Sequence, residues 1–323
     1  MGLTEVLRHL PRLVRLRRML VARFVAARPQ VFVGIDAPEF NLGLAARLKA
    51  RGLRTVQYVS PQVWAWRQGR VRTIGRSCDL VLCLLPFETS FYSSRGVHAV
   101  FVGHPLADQI ALDPDRGAAR WALGIAPETL LIALLPGSRV AEVSRLGADF
   151  AGAAAWIAKA RPGVEFIAPM ATRAVREVFE PQARGVAARI RLTDGGAREA
   201  LAACNAAIVA SGTATLETLL SKRPMVVAYR LAAATVLVAR WLALVKSPYM
   251  ALPNLLAGRT MVPEFFQDAV TPAALGGALL RELDDPARVA ALTAEFRRIH
   301  AQLRCGAAER AANAILECAG VRA

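Results

Sequence analysis

The segment LLIALLPGSR, residues 130–139, decides the fold class of this chain. Six consecutive apolar residues fit a strand that is buried on both faces, which is typical of a parallel sheet covered by helices. Pro136-Gly137-Ser138-Arg139 then leads into an Ala-rich predicted helix. Open α/β sheets bind ligands beyond the carboxyl ends of their strands. The segment therefore predicts an α/β protein with a ligand site at this turn.

A second segment, AAIVASGTATLETLL at residues 206–220, has the same strand, turn and helix order. Backbone N–H groups at a helix N-terminus favour anions, and a glycine lets a diphosphate approach the backbone closely. We predict that the two turns bind a nucleotide diphosphate, with Arg139 adding its guanidinium. The predicted contacts are Gly137, Ser138, Arg139, Ser211, Gly212 and Thr213. Ordinary βα turns with a solvated arginine are the alternative.

Glu217 follows the second turn within the predicted helix. A carboxylate at such a place can accept hydrogen bonds from ribose hydroxyls, as acids do in dinucleotide-binding folds. Favourable electrostatics at the start of a helix is the alternative role. Both readings stay open at this stage.

A third candidate lies in VGIDAPEFN, residues 33–41, where an apolar strand ends at Asp36. An ionisable group at the carboxyl end of a buried strand is unfavourable unless it works there. Asp36 is therefore a candidate catalytic residue, and Glu39 is a second carboxylate nearby. The alternative is that Asp36 only caps a helix beginning near Asn41.

Strands and helices alternate from residue 31, pause in the Pro- and Asp-rich segment 104–117, and then alternate again. The 323 residues suit two domains. We predict two doubly wound, Rossmann-like domains facing a cleft, residues 1–105 and 106–323, with the closing helices packing back on the first.

The charge is strongly positive, with 41 basic and 25 acidic residues and a net charge of +16. Such a charge favours an anionic partner. Residues 1–29 hold seven arginines, Arg15 and Arg18 among them, interleaved with apolar residues at helical spacing. They predict an interfacial helix on anionic lipid, which Pro11 kinks or divides, or else a surface helix whose apolar stripe packs on the domain. A mitochondrial presequence is a third reading.

Several classes of protein lack their signals. Neither turn has the G-x-x-x-x-G-K-[ST] or G-x-G-x-x-G pattern of nucleoside triphosphatases and dehydrogenases, and no nucleic-acid module is present. Five cysteines without a C-x-x-C pair suit a reducing cytoplasm. Asp113-Pro114-Asp115 is only a weak metal pattern. The apolar stretch 231–245 is interrupted by Arg240, so no transmembrane helix is predicted. We expect neither metal nor cofactor.

Two loops could contact a sugar. The first holds Trp64, Trp66 and Arg67, a mixture suited to sugar rings and anionic groups, or to a packed aromatic loop with a basic rim. The second, SPYMALPNLLAG at residues 247–258, holds Asn254, which could orient a sugar or phosphate or satisfy the loop backbone.

Taken in order, GIDAPEFN, YVSPQVWAWR, LPFE, FVGHP, LLPGSR, ASGTATLE and LPNLLAG resemble the lipid-A-disaccharide synthase family over nearly the whole chain. These are inverting GT-B glycosyltransferases. The resemblance implies that UDP-2,3-diacylglucosamine donates its sugar to 2,3-diacylglucosamine 1-phosphate (lipid X), which yields a β-1,6-linked disaccharide 1-phosphate and UDP without a metal. It further implies a peripheral position on the cytoplasmic face of the inner membrane, an acceptor or membrane role for Trp66, Arg67, Arg15 and Arg18, and a homodimer.

The resemblance also assigns roles to single residues. Asp36 is implied as the general base for the acceptor 6-hydroxyl, Arg139 steadies the diphosphate, Glu217 holds the ribose, and Asn254 is a cleft residue important for activity. The family has either acid at the position of Glu39, which makes that residue supporting.

One departure concerns the N-terminus. Family members begin with a strand and a GE-x-SGD loop, whereas this chain starts inside the later basic helix, so the resemblance implies an incomplete first domain whose activity must be measured. Two alternatives follow. One is an inactive remnant that binds nucleotide or membrane, and the other is a different UDP-sugar enzyme of GT-B fold.

Overall fold

A computed structural model describes residues 3–64, 68–231 and 248–321, and the side chains from residue 10 onward. Trp66, Arg67 and most of the apolar stretch 231–245 lie outside the described residues. The chain divides into two compact units. The first contains residues 3–108 and 303–321, and the second contains residues 109–231 and 248–302. The division into functional domains at residues 105 and 106 stays a prediction.

Each unit contains one parallel sheet. The first sheet has four strands in the order β1-β2-β3-β4, and the second has six in the order β10-β9-β8-β5-β6-β7. The strands are β1 (Val31–Ile35), β2 (Arg54–Tyr58), β3 (Leu80–Cys83), β4 (Ala99–Phe101), β5 (Leu131–Leu135), β6 (Glu165–Met170), β7 (Ile190–Asp194), β8 (Ala206–Ala210), β9 (Met225–Tyr229) and β10 (Glu264–Phe266).

Helices connect and cover these strands. They are α1 (Leu3–Ala27), α2 (Pro38–Lys49), α3 (Val71–Ser77), α4 (Pro86–Ser93), α5 (Pro105–Gln109), α6 (Arg116–Leu123), α7 (Val140–Ala160), α8 (Arg173–Arg184), α9 (Ala197–Ala203), α10 (Thr213–Leu220), α11 (Leu252–Ala257), α12 (Pro272–Leu283), α13 (Pro286–Leu303) and α14 (Ala307–Ala319), with 3-10 turns at Gln68–Arg70 and Gln267–Ala269. Among the described helices, none is long and apolar enough to cross a bilayer.

The sheet of the first unit is covered on both faces. One cluster contains Phe32 of β1 with Leu44 and Leu48 of α2, and the other contains Val56 of β2 with Ala311 of α14. Asp108 holds the end of the chain on this unit, because its carboxylate accepts the N–H groups at the start of α14 at 3.0 and 2.6 Å. A parallel sheet covered on both faces explains the near-continuous apolar strands.

The N-terminal basic segment is a single helix, α1, with Pro11 inside it, so Pro11 does not start a second helix. Val21 of α1 is buried, and Phe24 packs edge-on against Phe32 at 5.4 Å between ring centroids. One face of α1 is thus part of the core of the first unit.

The second unit has a reversal in its strand order. From the neighbouring strands β5 and β8, the chain continues outward through β6 and β7 on one side and through β9 and β10 on the other. Ligands of doubly wound sheets bind where the order reverses, outside the carboxyl ends of the strands. Both predicted phosphate turns follow these two central strands.

The structure differs from the sequence prediction in four places. The expected linker 104–117 contains α5, and Asp115 already caps α6 by accepting the N–H of Ala118 at 2.9 Å. The loop around Asn254 is helical as α11, and the short strand β10 follows it. Three described helices follow residue 271 rather than two, and α8 continues through Pro181 instead of ending at Glu180.

Arg120 of α6 fixes the amino ends of the two central strands. Its side chain is 4% exposed and donates to the carbonyls of Ala126, Pro127, Thr129 and Ala203 at 2.8 to 2.9 Å. It also donates at 2.7 Å to Asn205 Oδ1, which in turn accepts the N–H of Leu131 at 3.0 Å. Arg120 therefore ties the start of β5 to the start of β8.

We expect Arg120→Met to lower the free energy of unfolding by roughly 3–5 kcal/mol, because five acceptors, one buried and four partly buried, lose a charged donor at once. Urea denaturation monitored by circular dichroism measures this change. Arg173→Met is the matched control, since that side chain is 93% exposed and its loss should change stability by less than about 0.5 kcal/mol. Equal stability of the two variants would contradict the role of Arg120.

Candidate functional site

A cavity of about 330 Å³ lies at the carboxyl ends of β5 and β8, within the second unit. Its lining includes every predicted nucleotide contact of this unit. These residues are Gly137, Ser138, Arg139, Ser211, Gly212, Thr213 and Glu217, together with Glu142 and Ala214. The structure thus brings together two turns that are separated by more than 70 residues in sequence.

The first turn contains an internal anion that the sequence analysis missed. The carboxylate of Glu142 accepts the N–H groups of Ser138 and Arg139 at 3.0 and 3.3 Å, and the guanidinium of Arg139 at 3.0 Å. Gly137 has φ 138°, and a Cβ there would lie 2.6 Å from the Cβ of Glu142. This turn therefore requires glycine, and two of its N–H groups are already bound.

The second turn presents free donors. Gly212 has φ 147°, a conformation that side chains disfavour. In the part of the chain that the structure describes, the N–H groups of Gly212, Thr213 and Ala214 have no acceptor. They lie at the N-terminus of the eight-residue helix α10, where orphan N–H groups and the helix dipole favour an anion.

Glu217 lies one turn into α10 and forms part of the cavity wall. Its side chain is 20% exposed, and its carboxylate lies 3.8 Å from the Nε of Arg198. Burial raises the pKa of Glu217 above its ordinary value of 4.5, and Arg198 opposes that shift. Its position beyond the first three N–H groups favours a ligand contact over capping of the helix.

Asn254 is completely buried and does not line the cavity. Its amide nitrogen donates to the carbonyl of Val262 at 2.9 Å and to Glu264 at 2.6 Å, and its oxygen accepts the N–H groups of Met261 and Val262. All of its hydrogen-bonding capacity is thus used inside the protein. The structure favours satisfaction of the loop backbone over direct contact of Asn254 with a sugar or phosphate.

Asp36 lies in the first unit, directly after β1, and is exposed. Its φ of 51° and that of Ala37, 39°, are both positive. Its backbone N–H donates to the backbone carbonyl of Tyr58 at 2.9 Å. Its backbone carbonyl accepts from Asn41 Nδ2 at 2.8 Å and from Gln57 Nε2 at 3.1 Å. The carboxylate has no hydrogen bond or ion pair within the described residues.

The capping alternative for Asp36 is wrong. Helix α2 begins at Pro38, its N-cap residue is Ala37, and no side chain caps it. The carboxylate of Asp36 therefore has no structural task at this helix. Glu39, the second acid of the segment, forms an ion pair with Arg70 and has a different environment from Asp36.

The aromatic loop after β2 is anchored by a buried acid. Glu88 of α4 is 3% exposed and accepts from the hydroxyl of Ser60 and, at 3.0 Å, from the indole N–H of Trp64. Burial raises the pKa of Glu88. Trp64 is therefore a packed residue, as the alternative reading stated, while Trp66 and Arg67 lie outside the described residues. Arg15 and Arg18 are exposed on α1.

Sequence reasoning missed Glu142, Gln57, Glu88 and Glu264. Glu142 and Glu88 had a usable signal, because a glutamate three residues after the N-cap residue of a helix is a capping pattern, and they follow Arg139 and Leu85 at that spacing. Gln57 and Glu264 lie in strands, where a lone polar residue does not reveal its partner. The side chains of Gln57 and Glu264 hold backbone that is distant in sequence, which spacing alone does not predict.

Comparisons with known proteins agree with this architecture. A sequence profile described as Lipid-A-disaccharide synthetase matches residues 1–317. Lipid-A-disaccharide synthase of Sodalis glossinidius is 54% identical over 318 residues, which is 98% of this chain and 83% of that protein. The Alkalilimnicola ehrlichii protein of the same name is 53% identical over 99% of this chain and 84% of its own length.

Solved structures resemble the fold at low identity. UDP-GlcNAc 2-epimerase from Neisseria meningitidis, bound to UDP-GlcNAc, has a TM-score of 0.64 at 9% identity and covers 94% of this chain and 81% of its own. The calicheamicin glycosyltransferase CalG4 has a TM-score of 0.59 at 16% identity, with 99% and 81% covered. The two parallel sheets and these likenesses define a fold of the GT-B type. More particularly, the chain belongs to the lipid-A-disaccharide synthase family.

We expect the affinity for UDP to fall as the pH falls through the pKa of Glu217, because the ionised carboxylate accepts hydroxyl protons better than the neutral acid. This pKa lies above 4.5, so the loss begins at a higher pH than for an ordinary glutamate. Calorimetric titration with UDP at several pH values measures it. In Glu217→Gln this acid limb should become shallower, because only the protonation of the UDP phosphate itself remains, whereas Glu199→Gln, an exposed control on α9, should keep the full limb. An unchanged acid limb in Glu217→Gln would exclude the ribose role.

Proposed function

We propose that this chain joins UDP-2,3-diacylglucosamine to 2,3-diacylglucosamine 1-phosphate, forming the β-1,6-linked disaccharide 1-phosphate and UDP. The observation that carries the proposal is the cavity at the reversal of strand order, where two glycine turns, Arg139 and Glu217 meet. Membership of the lipid-A-disaccharide synthase family supports the choice of substrates.

The donor diphosphate would be held mainly by the second turn. The N–H groups of Gly212, Thr213 and Ala214 are available at the N-terminus of α10, and the exposed guanidinium of Arg139 can reach an anion in the same cavity. Ser138 would contribute through its hydroxyl, because Glu142 already binds its N–H. Glu217 would accept from the ribose. Fixed donors of this kind stabilise the charge that develops on the leaving UDP.

Asp36 would act as the general base. The acceptor 6-hydroxyl attacks the anomeric carbon, its proton passes to the carboxylate, and the bond to the UDP oxygen breaks with its electron pair on UDP. The exposed and unpaired carboxylate of Asp36 supports this role, and so does its positive φ, since strained backbone clusters at active sites.

Helix α1 would place the enzyme on the cytoplasmic surface of the inner membrane. Val21 and Phe24 use one face for packing in the core, yet Leu13, Leu16 and Met19 are 37 to 55% exposed. The exposed Arg12, Arg15 and Arg18 lie on the same helix. Apolar side chains and arginines together suit anionic lipid headgroups. On this proposal both the interfacial and the packed-helix interpretation of the segment would apply, each to a different face.

We expect this chain to form disaccharide from the two lipids, and Asp36→Asn to lower kcat by roughly 100- to 10,000-fold, the usual contribution of a general base. A radiolabelled donor and thin-layer separation of the product measure the rate. Calorimetry should show unchanged UDP affinity, because Asp36 lies in the first unit.

Glu309→Gln is the matched control, since this exposed acid lies on α14 of the same unit. It should retain full activity. UDP binding without disaccharide from the wild-type chain would indicate a nucleotide-binding remnant, and full activity of Asp36→Asn would exclude the base assignment.

We expect the triple variant Arg12→Gln, Arg15→Gln, Arg18→Gln to bind anionic vesicles on the order of a hundredfold more weakly, given about 1 kcal/mol for each arginine near the surface. Cosedimentation with vesicles of phosphatidylglycerol and phosphatidylethanolamine measures this affinity. The control removes three exposed arginines elsewhere, Arg281, Arg304 and Arg310. An equal loss of vesicle affinity in the control would show that net charge alone causes the effect.

A further inference from the structure

Glu264, at the start of the edge strand β10, binds one turn of the backbone with both carboxylate oxygens. One oxygen accepts the N–H of Met250 at 2.9 Å. The other accepts the N–H of Ala251 at 3.2 Å and the amide nitrogen of Asn254 at 2.6 Å. The three donors lie within five consecutive residues, so the single side chain defines the conformation of the turn 250–254.

Asn254 extends the same network to the other side of the turn. Its oxygen accepts the N–H groups of Met261 and Val262 at 2.7 and 2.9 Å, and its nitrogen also donates to the carbonyl of Val262. Because Asn254 is 0% exposed, water cannot replace these bonds. The turn 250–254 and the segment 261–264 therefore form one hydrogen-bonded network, the Glu264 network.

The Glu264 network contacts the second glycine turn at both ends of that turn, at Ser211 and at Thr215. The hydroxyl of Ser211 donates to the carbonyl of Met250 at 3.2 Å. The N–H of Leu252 donates to the hydroxyl oxygen of Thr215 at 3.3 Å, and that hydroxyl donates to the carbonyl of Gly212 at 2.8 Å. The three free N–H groups of residues 212–214 lie between these two attachments.

We infer that Glu264 is a positioning residue for the nucleotide turn, and that Asn254 acts through the same network rather than by touching substrate. The inference rests on the proposed function and adds to it the reason why a buried asparagine matters. Free N–H groups select a diphosphate only if their directions are fixed before binding. The Glu264 carboxylate fixes the directions of these N–H groups indirectly. It holds the turn 250–254, whose Met250 carbonyl and Leu252 N–H bind Ser211 and Thr215.

The test is Glu264→Gln, which keeps the shape of the side chain but replaces one acceptor oxygen by an NH₂ group that faces N–H donors. We expect the affinity for UDP to fall about tenfold or more, and KM for the UDP-sugar to rise while KM for the acceptor stays unchanged. A merely structural defect would instead lower the active fraction, and therefore kcat, without changing either KM. Asp268→Asn is the matched control, because this exposed acid lies just beyond the same strand.

Thr215→Val breaks the attachment without changing Glu264, so its lower UDP affinity keeps the inference testable if Glu264→Gln is unstable. Where Glu264→Gln folds, the two variants also form a double-mutant cycle. Thr215 is buried and does not line the cavity, and the valine removes both hydroxyl bonds at almost constant volume. If Glu264 acts through this attachment, the two losses of UDP affinity are non-additive. Additive losses, or wild-type affinity in Glu264→Gln, would overturn the inference.

Amide hydrogen exchange separates this inference from the proposed function. Without any ligand, Glu264→Gln should speed exchange at residues 211–215 and 250–252 by about tenfold or more relative to wild type, and Asp268→Asn should not. Failure of the wild-type chain to bind UDP would refute the proposed function while leaving this comparison valid. Unchanged exchange at residues 211–215 in Glu264→Gln would refute the positioning role itself.

Discussion

The parallel pairing of β5 with β8, in which Leu135 lies opposite Val209, is the constraint on which the cavity between the two glycine turns depends. Each strand ends in a glycine turn and a helix, so adjacent strands in register place two helix N-termini at one edge of the sheet. A strand inserted between them would separate the turns by roughly 5 Å more, since that is the spacing of strands in a sheet. Arg120 and Asn205 hold this pairing at the opposite ends of the same strands.

Two helix N-termini and Arg139 at one cavity create a local positive potential that must be balanced when no nucleotide is bound. Glu142 supplies that balance at the first turn, where it binds two N–H groups and the guanidinium. Without acceptors inside the described part of the chain, the N–H groups of residues 212–214 keep their capacity for a ligand. The two turns look alike in sequence, yet they are electrostatically different. The difference arises from a single acid five residues beyond Gly137.

The fold class and the positions of the two glycine turns could be predicted because strand burial and glycine turns leave local patterns in the sequence. Helix α11 and strand β10 could not, since a three-residue strand is too short to show a recognisable alternation and the Pro-rich stretch before α11 resembles a loop. Glu264 and Gln57 bind backbone far away in sequence, and Glu88 binds the distant side chains of Ser60 and Trp64. Only the fold identifies these partners. Asn254 illustrates the limit well: its place in a distinctive motif suggested a substrate contact, and its burial argues for a supporting role.

The two glycine turns and the segment at Asp36 reach positive φ by different means. In the turns of the second unit, Gly137 and Gly212 hold the positive φ, so the backbone there can approach a ligand at little cost. In the first unit Asp36 and Ala37 adopt positive φ with side chains present, at a cost of about 1–3 kcal/mol each. A glycine at position 36 would relieve the strain but remove the carboxylate. A position that must combine a left-handed backbone with an ionisable group therefore needs outside support, which Asn41, Gln57 and the carbonyl of Tyr58 provide.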